Sequence, residues 1–121
     1  MLYAILCYHD EAEVAGWPQA KDDAVIAKRR VVTNELAAKG KLGPVVRLMP
    51  TNAASTVRSG SEPLVVDGPF AETKEQLLGL YIIDCATQEE AVETARRMGR
   101  DESGKFEVRP IRSFAPGSGA T

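Results

Sequence analysis

Apolar runs of strand length alternate along this chain with two segments of helical periodicity. Three of the runs are LYAILCYHD at residues 2–10, LLGLYIIDC at residues 77–85 and FEVRPIRS at residues 106–113. The first two are almost continuously apolar and stop at an aspartate, which is typical of strands buried on both faces. Gly79 inside the second run predicts a β-bulge or a close backbone approach, and Pro110 predicts a sheet edge or a strand end.

The first helical segment begins near residues 19–22 and ends at Gly40, where a glycine commonly terminates a helix. Ile26 and Val31 lie off its apolar stripe, so this helix either has a wide buried face or also packs on a partner. The preceding stretch EAEVAGWPQA contains a Gly and a Pro, and it predicts a loop or one loose turn pinned by Trp17. The apolar stripe itself consists of Val25, Val32 and Leu36.

A second helix is predicted from residue 88 to residue 98. Thr87 and Glu90 fit the capping box, in which a hydroxyl and a carboxylate satisfy free backbone N–H groups of the first turn. Between the two helices, STVR at residues 55–58 and LVV at residues 64–66 predict a hairpin. VVRLM at residues 45–49 adds a further short strand.

The order of these elements predicts the fold class. A strand, a helix, a short strand, a hairpin, a strand, a helix and a strand form the split βαβ pattern of a ferredoxin-like α+β fold with an inserted hairpin. We expect an antiparallel sheet with both helices on one face, so that a second copy covers the other face and gives a homodimer. The domain should span residues 1–114, followed by a flexible tail at residues 115–121.

Composition limits the function classes. The chain has 121 residues, 44% of them hydrophobic and 26% charged, which fits one domain with a single core. Its formal net charge of -2 provides no basic field, so direct nucleic-acid binding is not expected. No apolar run approaches the roughly 20 residues that cross a bilayer, and no basic leader follows Met1, so we expect a cytoplasmic protein without a membrane partner.

The cysteines predict no metal chemistry. Cys7 and Cys85 both lie in apolar runs, where a thiol usually serves as a small buried hydrophobe. Two cysteines, one histidine and no close spacing between them do not form a recognisable zinc site. We therefore expect neither a metal nor another cofactor.

The most distinctive stretch is VVDGPFAETKEQ at residues 65–76, which combines a strand end, a Gly-Pro breaker, an aromatic residue and alternating charges. With its continuation LLGLYIID it closely resembles the signature of the DGPF family of YCII-related proteins. The resemblance extends to the opening LYAILCY, the capped helix and FEVRPI, and so covers most of the chain. It implies a dimeric, ferredoxin-like α+β barrel, in a family most of whose members have no known activity.

The resemblance also implies two kinds of role. Some YCII-related enzymes use a His-Asp dyad with the histidine on the first helix, and one is a dehydrochlorinase that acts on a chlorinated hydroquinone. The corresponding helix has no histidine in this sequence, and Arg29 stands near the dyad position, so the dyad does not carry over. Other DGPF members are associated with sigma factors of the extracytoplasmic-function class, which implies a regulatory role with a sigma factor as partner.

The residues of the motif are candidates for a ligand site. Asp67 ends a strand, where its carboxylate either caps the turn or faces a cleft, and capping is favoured. Phe70 either fills the core beneath the loop or lines a pocket, and core filling is favoured. Glu72 and Lys74 form either a solvated ion-pair cluster or inward-facing groups whose shifted pKa values suit acid-base chemistry.

His9 is the only imidazole. It is either a surface or strand-end histidine without a catalytic role, which is favoured, or a general base. Asp10 points to the opposite face of the strand, so Asp67 or Glu72 is the expected carboxylate partner. Candidate catalytic residues are His9, Asp67, Glu72 and Lys74, and candidate ligand-binding residues are His9, Asp67, Phe70, Glu72, Thr73 and Lys74.

Three functions remain open from the sequence. The chain is a small-molecule enzyme or binder with a pocket at the motif, or a regulatory module that contacts a sigma factor through the off-stripe apolar residues of the first helix. As a third possibility, the chain is a dimeric domain in which the motif only stabilises the fold.

Overall fold

The computed structural model describes residues 1–117. A four-stranded sheet and three α-helices form the body, and a separate two-stranded hairpin follows a 3-10 turn at Thr51–Ala53. In chain order the elements are β1 (Leu2–His9), α1 (Glu11–Ala15), α2 (Gln19–Ala38), β2 (Leu42–Arg47), β3 (Ser55–Arg58), β4 (Leu64–Asp67), β5 (Gln76–Asp84), α3 (Gln88–Met98) and β6 (Lys105–Pro110).

The sheet has the order β2-β5-β1-β6, and all its neighbouring strands are antiparallel. The hairpin β3–β4 is inserted between β2 and β5 and pairs only within itself. This topology confirms the ferredoxin-like α+β prediction, including the inserted hairpin.

Side chains of β1 alternate strictly between the two faces of the sheet. Tyr3, Ile5, Cys7 and His9 are buried on the face that the helices cover. The alternating residues are half-buried, because in a single chain the helices pack on only one face. The prediction of a strand buried on both faces is therefore confirmed for the face that the helices cover, and it stays a prediction for the open face, which we expect a second copy to cover. The side chains on the open face of β1 are Leu2, Ala4, Leu6 and Tyr8.

The core lies between the sheet and the two long helices. Val32 and Leu36 of the predicted stripe are buried, and Val25 is half-buried. Ile5 and Ile83 are fully buried, and each side chain of this size contributes about 1.5–3 kcal/mol when removed from water. The core residues are Tyr3, Ile5, Cys7, Val32, Leu36, Ile83, Cys85, Ala91, Ala95 and Met98.

Gly79 fulfils both predictions made for it. The β1–β5 register shifts between Cys7 and Tyr8, directly beside the pairing of Cys7 with Gly79, so a bulge is present. A Cβ on Gly79 would also lie 2.5 Å from the carbonyl oxygen of Val46 on β2. A larger residue would force the edge strand away from β5.

Helix termini follow the predicted signals, with one correction. Gly40 adopts a φ of 67° just beyond α2, and the Thr87 hydroxyl accepts the Glu90 N–H at 3.2 Å at the start of α3. The stretch predicted as a loop or one loose turn contains the five-residue helix α1, which is more regular than either alternative. That helix forms because the Asp10 carboxylate accepts the Ala12 N–H at 2.9 Å and caps its first turn.

The remaining predictions concern the C-terminal tail, the two cysteines and membrane-spanning helices. Residues 115–117 have no helix or strand, and the rest of the predicted tail, residues 118–121, lies outside the described residues. Cys7 and Cys85 are buried free thiols, as predicted. Within residues 1–117, none of the helices combines the length and apolarity needed to cross a bilayer.

Candidate functional site

A cavity of about 340 Å³ lies where α2 passes the β2–β5 side of the sheet. Its volume is at the lower end of the roughly 300–1,000 Å³ that is usual for small-molecule sites. Apolar side chains from α1, α2, β2 and β5 form part of the walls. The polar and aromatic residues of the lining are His9, Trp17, Asp22, Arg29, Arg30, Thr33, Arg47 and Tyr81.

His9 stands at the inner end of this cavity. As the last helix-facing residue of β1 it is 3% exposed, and its ring meets the Trp17 ring edge-on with the centroids 5.7 Å apart. A Cβ on Gly104 would lie 2.3 Å from the imidazole, so only glycine at that position lets the loop pass over the ring. Within residues 1–117, His9 Nε2 and Trp17 Nε1 are buried nitrogens without a hydrogen-bond partner.

Glu102 places a buried carboxylate behind the imidazole. Its side chain is 2% exposed, and its Oε1 lies 3.6 Å from His9 Nε2, beyond hydrogen-bond distance. Arg29 donates from both Nε and Nη2 to the two carboxylate oxygens, with the Nε bond at 3.1 Å. Lys28 Nζ lies 2.8 Å from Oε2. We call these four residues, His9, Lys28, Arg29 and Glu102, the His9 cluster.

The loop between α3 and β6 brings Glu102 into the cluster. Asp101 has a φ of 65°, a left-handed conformation that is uncommon outside glycine, and the Glu102 N–H donates to the Gly99 carbonyl at 3.0 Å. This tight turn directs the Glu102 side chain inward. Arg29 reaches it from α2 with its guanidinium 4.9 Å from the centre of the Phe106 ring, a cation–π contact that adds to the ion pair.

The electrostatics of the cluster fix its protonation states. Burial lowers the pKa of His9, and the Glu102 charge offsets this only in part. Burial opposes ionisation of Glu102, but the hydrogen bonds from Arg29 and Lys28 outweigh it and lower the Glu102 pKa. At neutral pH the site thus holds a neutral imidazole beside an ionised carboxylate. A neutral imidazole has one donor and one acceptor nitrogen and is the form that a general base requires.

The buried thiol in the cavity wall is not a nucleophile. Burial raises the pKa of Cys7 to about 11, so the thiol stays protonated at neutral pH, whereas the reactive form of cysteine is the thiolate. Within the part of the chain that the structure describes, no group of three His, Cys, Asp or Glu side chains is arranged to hold a metal ion.

Of the residues predicted to form the site, only His9 lines the cavity. The others lie at the end of β4 and in the segment that follows, which we call, together with the hairpin, the hairpin segment (residues 55–74). Phe70 is 88% exposed, so the prediction that it fills the core of this chain is wrong. The carboxylate beside His9 belongs to Glu102. The exposed members of the predicted set are Asp67, Phe70, Glu72, Thr73 and Lys74.

The Gly-Pro turn after Asp67 is closed mainly by backbone groups. Gly68 has a φ of 91°, and its N–H donates to the Ala54 carbonyl at 2.6 Å. The Thr56 hydroxyl in turn donates to the Gly68 carbonyl at 2.7 Å. A glycine is required here because side chains disfavour this left-handed conformation.

Three residues of the cluster, Lys28, Arg29 and Glu102, are not among the site residues predicted from the sequence. Arg29 was noted only because the resemblance places it near a dyad position. Glu102 belongs to the polar stretch RDESG, which looks like an ordinary loop between a helix and a strand. No periodicity or spacing marks it, because its role comes from the turn at Asp101 that directs it inward.

Comparison with known proteins agrees with this fold and leaves the activity open. A family model described as the YCII-related domain matches residues 1–115. An uncharacterized protein of Rhizobium meliloti is 49% identical over 120 residues, which cover 97% of each of the two chains.

Proposed function

The chain belongs to the YCII-related domain family, and on that premise we propose that it binds a small molecule in the cavity beside His9, with the imidazole as the central hydrogen-bonding group. The observation that carries the proposal is that His9 and Trp17, which line one cavity, each have a buried ring nitrogen, Nε2 and Nε1 respectively, without a hydrogen-bond partner within residues 1–117. Leaving a buried polar group unpaired costs about 1–3 kcal/mol, which a ligand oxygen or nitrogen would recover.

The surrounding residues support a preformed site. Glu102 is 2% exposed and Arg29 is 19% exposed, and their ion pair holds the carboxylate 3.6 Å from His9 Nε2 while Arg29 itself lines the cavity. Because the ring is held between Trp17 and the backbone at Gly104, its orientation changes little when a ligand enters. A rigid and neutral imidazole is suited to hydrogen bonding and to accepting a proton from a bound hydroxyl group.

The chain contains one histidine and one tryptophan, and both line the cavity, which permits an unambiguous binding assay. A panel of small molecules is titrated into untagged protein while the Trp17 fluorescence and the His9 imidazole resonance are followed. We expect ligands that perturb both signals. Val25→Phe, which fills the cavity from α2, should abolish these responses. Val31→Phe, the same change on an exposed position of the same helix, should preserve them.

Two outcomes would contradict the proposal. In the first, no member of the panel perturbs both the His9 and the Trp17 signals. In the second, Val25→Phe and Val31→Phe respond alike, which would locate binding elsewhere. Circular dichroism of both variants excludes unfolding as the cause of a lost response.

We also infer a homodimer, as the open sheet face predicts. The hairpin segment exposes several large apolar side chains, and neighbouring apolar residues of β2 and the turn after it are exposed as well. Large apolar side chains exposed in such numbers favour an interface with another protein. In a dimer, the second copy would also decide whether Asp67, Phe70, Glu72, Thr73 and Lys74 wall a cavity. The exposed apolar residues are Val45, Val46, Leu48, Met49, Val57, Leu64, Val65, Val66 and Phe70.

A regulatory module beside an extracytoplasmic-function sigma factor stays a prediction with less support. It relied on the off-stripe apolar residues of α2, and of these Ile26 lines the cavity while Val31 is 57% exposed. That leaves one apolar side chain for the proposed contact. Loss of a co-purifying sigma factor on Val31→Glu, with Val25→Phe unaffected, would favour this role. A cytoplasmic location is part of both proposals.

A further inference from the structure

We infer that the ligand of the His9 cavity is a small organic carboxylate with an apolar body, an assignment that rests on the proposed function. The charged residues that line the cavity are three arginines and one aspartate. This local excess of positive charge is not a by-product of a basic chain, because the chain as a whole has a formal net charge of -2. A carboxylate is the chemical group that complements it.

The three arginines differ in how far they are already neutralised. Arg29 is bound by the buried Glu102, so its charge is compensated within the His9 cluster. Arg47 lies 3.4 Å from Asp22, with its side chain 65% exposed, which makes a weak pair that a ligand can rearrange. None of the ion pairs formed within residues 1–117 involves Arg30. Arg30 and Arg47 are therefore the groups that receive the anion.

Further features at the cavity favour an anion over a cation. Lys21 Nζ lies 4.9 Å from the centre of the Trp17 ring, so one face of the indole is already occupied by a cation. The free indole N–H can only donate a hydrogen bond, which suits an oxygen acceptor on the ligand. Asp22 is the single carboxylate of the lining, against three arginines.

The apolar walls define the other half of the ligand. The apolar side chains that line the cavity include Val25 and Ile26 of α2, Val45 of β2, Leu78 of β5 and Val14 of α1. An apolar group enclosed between these side chains is removed from water, which stabilises the complex in proportion to its buried area. A very short acid such as acetate lacks that group and should bind poorly.

The test compares phenylacetate with its neutral analogue phenylacetamide and with acetate, using untagged full-length protein at low salt. Binding is followed by Trp17 fluorescence and by the single His9 resonance. We expect phenylacetate to bind at least about tenfold more tightly than phenylacetamide, as a charge-assisted hydrogen bond predicts. Acetate should not saturate the site at millimolar concentration.

Arginine variants test which side chains cause the preference for phenylacetate over phenylacetamide. Arg30→Gln and Arg47→Gln should each weaken phenylacetate binding at least about fivefold and leave phenylacetamide binding unchanged. Arg96→Gln, an arginine of α3 outside the cavity, is the matched control and should change neither affinity.

The possible failures are distinguishable. If phenylacetamide binds as tightly as phenylacetate, or if the arginine variants keep the full preference, the carboxylate assignment is wrong while small-molecule binding beside His9 stands. If phenylacetate does not bind but neutral members of the earlier panel do, the assignment is again wrong. If no compound in either set perturbs His9 and Trp17, the proposed function itself is wrong.

Discussion

The His9 cluster and the hairpin segment differ in the solvent exposure of their side chains. In the cluster, His9 and the Glu102 carboxylate are at most 3% exposed and lie beside a cavity. In the hairpin segment, charged residues lie on the surface and the aromatic Phe70 is 88% exposed. One region buries charge, which must be paired, and the other exposes apolar surface, which is normally covered by a partner.

This difference indicates that each of the two regions lacks a different kind of binding partner in a single chain. The cluster satisfies its charges internally, and the ring nitrogens His9 Nε2 and, beside the cluster, Trp17 Nε1 have no partner in residues 1–117, so this region lacks a group of small-molecule size. The hairpin segment exposes apolar side chains that only a surface as large as that of another protein could cover. The first deficit points to a ligand and the second to another copy of the chain.

The largest effect expected from this comparison follows Glu102→Gln. The change leaves the buried Arg29 guanidinium without its counter-charge, and breaking such a pair typically costs about 3–5 kcal/mol. Because Arg29 and Lys28 keep some contact with water, we expect about 3 kcal/mol less free energy of unfolding in urea titrations. Glu72→Gln in the hairpin segment is the matched control, and its effect should stay within about 0.5 kcal/mol.

A similar decrease in the free energy of unfolding for Glu102→Gln and Glu72→Gln would contradict the difference between the two regions. The hairpin segment would then stabilise the chain as much as the buried cluster does, and its motif would have to be regarded as a structural element of the domain.

A smaller effect is expected from Phe70→Ser, which tests the hairpin segment directly. If a second copy covers Phe70, its loss should weaken dimer association at least about tenfold, since buried aromatic residues are common interface hot spots. The stability of the monomer should change by less than about 0.5 kcal/mol, because Phe70 is exposed in one chain. Light scattering over a dilution series measures association, with Val31→Ser on α2 as the control.

A strictly monomeric parent protein would contradict the dimer. A Phe70→Ser variant that dimerises like the parent would instead exclude the hairpin segment from the interface and leave the open sheet face as its remaining part.

The fold was predictable from the sequence because its signals are local. Strand alternation, the Thr87 cap, the stop at Gly40 and the bulge at Gly79 each depend on a few neighbouring residues. The short helix α1 was missed because it depends on one cap, the Asp10 carboxylate, in a stretch that contains breaking residues.

The site was less predictable because its parts are distant in sequence. His9, Arg29 and Glu102 come from a strand, a helix and a loop that meet only after the chain folds. The conspicuous motif drew attention to residues 67–74, which are exposed in one chain. Its glycine is explained locally by the turn at φ 91°, whereas Asp67, Glu72 and Lys74 form no ion pair within residues 1–117 that would explain them in the same way.

The smallest predicted effect is a dependence of stability on pH that originates in the His9 cluster. Burial lowers the folded-state pKa of His9 below its ordinary value of 6.5, so between these two pH values the unfolded chain binds more protons than the folded one. Stability is therefore fully present above about pH 6.5 and falls as the pH decreases, with a slope of at most about 1.4 kcal/mol per pH unit. The lowered pKa of Glu102 acts in a separate window, below about 4.5. The charged groups that act on His9 are Glu102, Arg29, Glu13 and Glu75.

His9→Gln tests this origin, because the chain contains no other histidine and little else titrates between pH 5 and pH 6.5. Urea unfolding midpoints across this range should rise with pH in the parent protein and remain nearly flat in the variant, whatever the variant's absolute stability. Glu72→Gln in the hairpin segment should keep the parent slope, since that exposed carboxylate lies outside the cluster. An unchanged slope in His9→Gln would show that the imidazole is not held neutral by burial, and the contrast between a desolvated cluster and a solvated hairpin segment would lose its electrostatic basis.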